Sequence, residues 1–314
     1  MNRNTKISKE LRSVEALIKR DFSKENTISG LYKYIFKSNG KKIRAKLCLT
    51  TSSRTKNKEK IKLASVIELL HTATLIHDDV VDESPTRRGI RSVNNVWTNA
   101  HGVLIGDYIY SKAFIYLVDI GNKKILKELA STTNDIAQGE LVQLDAINNV
   151  NITLNKLKKI SYFKTGRLFE AAAKTGAIIA NENKAFNYNV SECAKNLGIL
   201  FQIIDDLLDY SDSKKIGKPV FQDIKEGKVT YPFFYAYKNA NTREKKRLKD
   251  LLGVSRDLKS KDLELIKSLE GIKKTKQLAE KYHIKAIEYA KKIKNLDIRK
   301  EMIELADTAL NRDK

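Results

Sequence analysis

The chain has 314 residues, with 60 Lys and Arg against 38 Asp and Glu, a formal net charge of +22. Hydrophobic residues make up 41% and charged residues 31%, which allows a buried core and excludes an integral membrane protein. Only 3 Pro and 14 Gly argue against a turn-dense all-β architecture or long disordered linkers, and two cysteines, Cys48 and Cys193, exclude a disulfide framework or a four-ligand zinc site.

The N-terminal segment lacks the unbroken apolar core of a secretory signal. Its Leu11, Val14, Leu17 and Ile18 fall at helical spacing and predict an amphipathic helix. Ile61, Ala64, Ile67, Leu70 and Leu75 predict a long helix running towards residue 82. Ile125, Leu129, Ile136, Leu141 and Leu144 predict another, and Leu197, Leu200, Ile204 and Leu208 a third. Asn39-Gly40, Gly121-Asn122 and Lys218-Pro219 are turn or loop positions between such segments. From about Thr242 the chain is Lys-rich and helical, and no alternating strand pattern, repeat or linker interrupts it. The expectation is a single all-α domain over residues 1–314, soluble and cytoplasmic, with no window reaching the ~18 apolar residues of a membrane span. Much of the positive charge lies on solvated helix faces such as 55–62 and 291–294. No zinc finger, winged helix or aromatic-plus-basic RNA motif accompanies it, so no nucleic-acid partner is expected.

Two acidic segments stand out inside otherwise apolar helices: His77-Asp78-Asp79-Val80-Val81-Asp82 and Asp205-Asp206-Leu207-Leu208-Asp209. Both spell D-D-x-x-D. Residues i and i+4 share a helix face, so Asp78 with Asp82, and Asp205 with Asp209, each aim two carboxylates at one region. Like charges that close are costly to bury without a compensating cation, and Mg²⁺, a hard ion that takes carboxylate, phosphate and water oxygens, suits them. Basic residues gather around the first segment. Arg87 and Arg88 follow it, Gly40-Lys41-Lys42-Ile43-Arg44 precedes it at a predicted helix start, and His71 lies two turns before Asp78. Lys164, Lys218 and Lys228 are further cations, the last two flanking the exit of the second segment. Carboxylates for Mg²⁺ beside Arg and Lys for diphosphate describe a site for polyphosphorylated substrates.

These residues carry a resemblance. IELLHTATLIHDDVVDESPTRRG at 67–89 and GILFQIIDDLLDY at 198–210 resemble the two aspartate-rich motifs of the trans-isoprenyl (polyprenyl) diphosphate synthases. GKKIR at 40–44, GDYIYSKAF at 106–114, QGELVQL at 138–144, KTGRLFEAAA at 164–173 and IGKPVFQDIKEGKVTYP at 216–232 extend the similarity over roughly residues 30–240. Within the family, the wording is most similar to bacterial octaprenyl-type synthases that serve quinone biosynthesis.

The resemblance implies an isoprenoid synthase-type helical bundle around a central cavity. It implies Mg²⁺-dependent, head-to-tail addition of isopentenyl diphosphate to an allylic diphosphate. Asp78, Asp82 and Asp205 would carry the metal ions, three in the family, with Asp79, Asp206 and Asp209 supporting them. Arg87, Lys164, Thr165, Gln202, Lys218 and Lys228 would face the allylic diphosphate, Lys164 as part of the catalytic set. Lys41, Arg44, His71 and Arg88 would hold isopentenyl diphosphate. Proton loss would go to pyrophosphate, so no side-chain base is required. Ala73 and Thr74 occupy positions where short-chain members carry an aromatic ring. Their small side chains imply an open shaft and a product of about C40, from farnesyl diphosphate as primer. A homodimer and transient association with a membrane surface are also implied. A shorter-chain synthase and a non-catalytic partner subunit are the alternatives.

Three residues depart from the family wording. Ala45 stands where Pro usually follows the first basic motif, Gly166 replaces Ala after Lys164-Thr165, and Phe221 replaces a Gly in the loop after the second aspartate segment. A Gly there would serve an unusual backbone angle, so the loop geometry near Lys218 is where a difference is expected. A mid-helix Gly166 is expected to permit close packing.

Overall fold

The computed structural model describes residues 3–20, 25–37, 40–87, 89–210, 221–254 and 260–312. These are helical almost throughout, as the periodicity predicts. Two compact units can be distinguished, residues 1–133 with 171–191, and residues 134–170 with 192–314.

In the first unit, α1 (Arg3–Arg20), α3 (Ile43–Thr51) and α6 (Asn99–Ile120) pack around α4 (Glu59–Val81). Helix α2 (Asn26–Ile35) precedes α3. Every residue of α4 from Leu63 to Leu70 is buried, Ser65 and Glu68 included, so the helix is enclosed on all sides although its spacing marks only one stripe. Beyond that stretch only a face at i, i+3 spacing stays buried (Ala73, Ile76, Asp79), so the C-terminal turns of α4 carry polar residues into a partly solvated region. The N-terminal helix buries Ile7, Val14 and Ile18, and the two predicted thiols, Cys48 and Cys193, are free and buried.

One expectation is corrected here. Immediately after α4 the chain forms a small antiparallel hairpin, β1 (Thr86–Arg87) and β2 (Ile90–Arg91), paired Thr86 to Arg91 and Arg87 to Ile90. Its two-residue turn contains Gly89 at φ 79°. Strands of two residues are too short to produce an alternating pattern, which is why the sequence hides them. A short α5 (Val93–Val96) leads into α6, and Gly121, at φ 67°, ends α6 in the left-handed conformation at the predicted turn. Of the other predicted turn positions, Asn39, Lys218 and Pro219 lie outside the described residues.

Further along lie α7 (Lys123–Leu144), α8 (Leu154–Ser161), a π-helical turn (Tyr162–Gly166), α9 (Arg167–Ile179) and α10 (Lys184–Leu208). The Lys-rich C-terminal part forms α11 (Gln222–Lys225), α12 (Tyr231–Asn239), α13 (Thr242–Lys249), α14 (Ser260–Ser268), α15 (Gly271–Lys291) and α16 (Leu296–Leu310). In the second unit α15 packs on both α12 and α16. Among the described residues, no helix is long and apolar enough to cross a membrane.

Gly166 has the packing role expected of it. A Cβ there would lie 3.1 Å from both Ile199 and Tyr162, and a Cβ on Gly198 would lie 2.7 Å from the Gly166 Cα and 2.8 Å from Phe169. Two glycines on facing helical segments thus set a backbone separation that side chains would prevent. Gly198→Ala should destabilise the fold by roughly 1–3 kcal/mol through overpacking. Gly166→Ala, whose nearest neighbours include side-chain atoms able to shift, should lower the denaturant midpoint by less.

Candidate active site

The first aspartate segment forms the last turn of α4, with Asp82 as its C-cap. Asp79 is buried, 4% exposed, and points away from its neighbours into a clamp: Arg87 Nε and Nη2 donate to Asp79 Oδ1 at 2.8 and 2.5 Å. The β1–β2 hairpin exists at this point and delivers that guanidinium. Burial pushes the Asp79 carboxyl up, Arg87 pulls it back down, and the adjacent Asp78 and Asp82 push it up again, leaving it above the usual carboxylate range. Burial disfavours the Arg87 charge, but Asp79, with Asp78 and Asp82 behind it, more than restores it. Asp78 and Asp82 themselves are half-buried.

Beside this clamp lies a cavity of about 880 Å³, counting its open mouth, with Lys42, Glu68, His71, Asp79, Arg87 and Arg91 among its lining. Arg44 Nη1 lies 3.0 Å from His71 Nε2. A guanidinium can only donate, so Nε2 accepts and the ring carries its proton elsewhere in this arrangement. Lys42 caps α3 in the left-handed conformation and pairs with Glu15 of α1, while Lys41 is exposed. Ala73 is fully buried in α4, and the half-buried Thr74 returns its hydroxyl to the His71 carbonyl at 2.8 Å. Arg88 lies outside the described residues.

The second segment ends α10 and is treated differently by its surroundings. Asp206 is buried. It accepts from Gln202 Nε2 at 2.9 Å and from the Tyr231 backbone N–H at 3.4 Å. Gln202 in turn accepts from the Thr165 hydroxyl at 2.6 Å, so Thr165, Gln202 and Asp206 form one hydrogen-bonded chain. Asp209 does not simply mirror Asp82. Its two carboxylate oxygens accept the backbone N–H groups of Gln222 (2.9 Å) and Asp223 (3.2 Å), capping the short α11, and its carbonyl accepts from Phe221 N–H at 2.8 Å. Burial and the nearby Asp223 push Asp209 up to about 8, and the same two causes raise Asp206 well above the usual range.

Lys164 sits inside the π-helical turn and donates to Glu140 Oε2 and Gln143 Oε1, each at 2.9 Å. Lys228 is buried, 8% exposed, with its ammonium 2.7 Å from Glu226. Lys218 lies outside the described residues. Phe221, in the place of the expected glycine, adopts φ 60°, ψ 28°, the backbone conformation for which a glycine would have been chosen.

Comparison with known proteins decides which family the chain belongs to. Residues 25–269 match the family model described as Polyprenyl synthetase. The chain belongs to the polyprenyl synthetase family. It is 38% identical over 237 residues to octaprenyl diphosphate synthase of Escherichia coli K12, covering 74% of this chain and 73% of that protein. It is 40% identical over 227 residues to a geranyl-diphosphate-specific all-trans-nonaprenyl-diphosphate synthase of Rhodobacter capsulatus, covering 71% and 70%. Its fold matches the crystal structure of a Caulobacter crescentus CB15 polyprenyl synthase complexed with calcium and isoprenyl diphosphate. The TM-score is 0.91 at 32% identity, covering 98% of this chain and 96% of that one. The protein is a trans-prenyltransferase, and the all-α isoprenoid synthase fold expected from the sequence is the observed one.

As a polyprenyl synthetase the protein is metal-dependent, and its own residues fit a hard divalent cation. The donors are carboxylate oxygens, and burial together with the nearby Asp223 raises Asp206 and Asp209, a cost of holding negative charge there that a cation relieves. Among the described residues no group of three or more His, Cys, Asp or Glu side chains forms a ready-made cage.

Two contributors carried no signal in the sequence. Asp223, in α11, lies close enough to Asp206 and Asp209 to raise both. Arg312, at the end of the described chain, places Nη1 2.6 Å from Asp205 Oδ1 and stacks its guanidinium 4.3 Å from the centre of the Phe201 ring. Nothing in spacing could link residues 107 positions apart. The pair is partly exposed, so removing Arg312 should cost at most about 1 kcal/mol of stability. If Asp205 takes the metal-ligand role that the resemblance implies, the guanidinium would compete for it, and Arg312→Gln should tighten divalent-cation binding by roughly 2- to 5-fold in the absence of diphosphate. Calorimetric titration with Mg²⁺ or Mn²⁺ measures this, and an unchanged affinity would mean that the pair does not compete.

Proposed function

We propose that the chain is a long-chain trans-polyprenyl diphosphate synthase. In this reading it adds isopentenyl diphosphate head to tail onto an allylic primer, farnesyl diphosphate, to give a product of about C40 for quinone side chains. Relatives named as octaprenyl and nonaprenyl synthases support the long-chain class, and the isoprenyl diphosphate in the Caulobacter complex supports the substrate class. The observation that carries the reading to this chain is the Arg87 clamp on Asp79, beside a cation-lined cavity and between the two carboxylates of the i, i+4 pair.

Asp78, Asp82 and Asp205 would hold Mg²⁺, three ions per active site, with Asp79, Asp206 and Asp209 supporting them from the same helix ends. When bound, Mg²⁺ neutralises the charge that builds on the departing pyrophosphate. The chain's own residues bind and orient. Lys164 exchanges Glu140 and Gln143 for phosphate oxygens, helped by Arg87, Lys218 and Lys228, and the Thr165–Gln202–Asp206 chain fixes the polar wall beside it. Lys41, Arg44, His71 and Arg88 hold isopentenyl diphosphate with its double bond towards the allylic carbon. The proton released from the new chain end goes to pyrophosphate. None of the departures at Ala45, Gly166 and Phe221 removes one of these groups, so the enzyme is active. It works as a homodimer in the cytoplasm, and its lipophilic product together with its basic surface brings it transiently to the inner membrane face. Nucleic acid is not a partner.

The test is an assay with Mg²⁺, farnesyl diphosphate and labelled isopentenyl diphosphate, products being separated by length. A ladder ending near octaprenyl supports the proposal, and a farnesyl- or geranylgeranyl-length stop would refute the long-chain reading. Asp78→Asn and Asp205→Asn should each lower kcat at least about 100-fold with the fold intact by circular dichroism. Ala73→Phe should shorten the product. An unchanged ladder from folded protein would remove Ala73 from the chain-length gate.

A further inference from the structure

The first turn of α3 places Arg44 and Ala45 beside α4, and the two contacts they make there are adjacent. Ala45 is fully buried, and its N–H is at the third position of the helix, where no carbonyl of α3 can accept it. Lys42, the residue in the cap position, makes no side-chain capping bond. The acceptor comes from another helix: Glu68 Oε1 of α4, 3.1 Å from Ala45 N, with Glu68 itself only 8% exposed. One turn further along α4, His71 receives Arg44 at 3.0 Å. Glu68 and His71 both line the cavity beside the Asp79 clamp. The residue that usually stands at position 45 in the family, proline, could not make the Glu68 bond, because it has no N–H.

We infer that Glu68 is a positioning residue for isopentenyl diphosphate: by accepting the Ala45 N–H it fixes the start of α3 on α4 and thereby sets Arg44 against His71. This rests on the reading of Arg44 and His71 as holders of that substrate. A carboxylate also suits the positive end of a helix, so the charge of Glu68 and the reach of its acceptor oxygen must be separated. Glu68→Gln keeps the reach and loses the charge, whereas Glu68→Asp keeps the charge and draws the oxygen back by one methylene.

The experiment uses the full chain and two readouts. The chain has four histidines, so the His71 imidazole can be followed by ¹⁵N NMR without substrate, and KM for each substrate is measured separately. Glu68→Asp should shift the His71 signal and raise KM for isopentenyl diphosphate about 5- to 10-fold, with KM for farnesyl diphosphate and kcat within about 2-fold. Glu68→Gln should stay within about 2-fold of the parent in all of these. In an Ala45→Pro background the Glu68→Asp effect should vanish, since the donor is gone. The inference is overturned if Gln is the more damaging substitution, if the Asp effect persists in the Ala45→Pro background, or if the His71 signal stays put in Glu68→Asp. Should the parent protein fail to incorporate isopentenyl diphosphate at all, the proposed function falls. The imidazole comparison then still decides whether Glu68 sets the Arg44–His71 pair.

Discussion

Carboxylates carried on apolar helices must find compensation, and most of the local architecture in this protein supplies it. A carboxylate taken out of water without a partner costs several kcal/mol, more than a helix terminus recovers from packing. Each aspartate that turns inward is therefore met by a specific device. Asp79 has the Arg87 guanidinium, brought by a hairpin only two residues deep. Asp206 has the Gln202 amide and the first N–H of α12. Asp209 has two N–H groups at the start of α11. The hairpin, the start of α11 and the α10–α12 junction all answer the same electrostatic requirement.

The two D-D-x-x-D segments are alike in sequence but not in structure. In the first, the central aspartate is the one held, and the i, i+4 pair flanks it. In the second, the fifth position is also occupied, by the backbone of α11, and Asp205 meets Arg312 instead. Nothing in the segments themselves distinguishes them. The difference comes from what meets the segment, the Arg87 hairpin in one case and the start of α11 in the other.

The long helices and the acidic segments were legible because they depend on local periodicity, and periodicity survives in a single sequence. Burial of α4 on all sides from Leu63 to Leu70 goes beyond the stripe that its spacing predicts, because Ser65 and Glu68 interrupt the apolar pattern there. What could not be read depends on partners distant in sequence or on backbone detail. The pairing of Arg312 with Asp205 leaves no spacing signature. The π-helical turn at Tyr162–Gly166, which carries both Lys164 and Thr165, reads as ordinary helix, since one extra residue in one turn does not disturb an apolar pattern. Arg87 and Arg44 were recognisable as cations near the site, but that one would clamp an aspartate and the other a histidine was a matter of geometry.

Phe221 shows how far a departure can be accommodated. The position demands a left-handed backbone, at a cost of about 1–2 kcal/mol for a residue with a Cβ. In exchange the ring is 6% exposed and meets Tyr210 edge-on at 5.7 Å, burial and contact that contribute roughly 2–4 kcal/mol together and that a glycine could not provide. The main chain at the same residue donates to the Asp209 carbonyl, and the next two N–H groups bind the Asp209 carboxylate. The conformation that glycine would supply through freedom is here held by packing and by the aspartate it serves. The left-handed conformation at position 221 is thus kept by a different residue, and it stays coupled to Asp209 through the main-chain N–H groups that this carboxylate and its carbonyl accept.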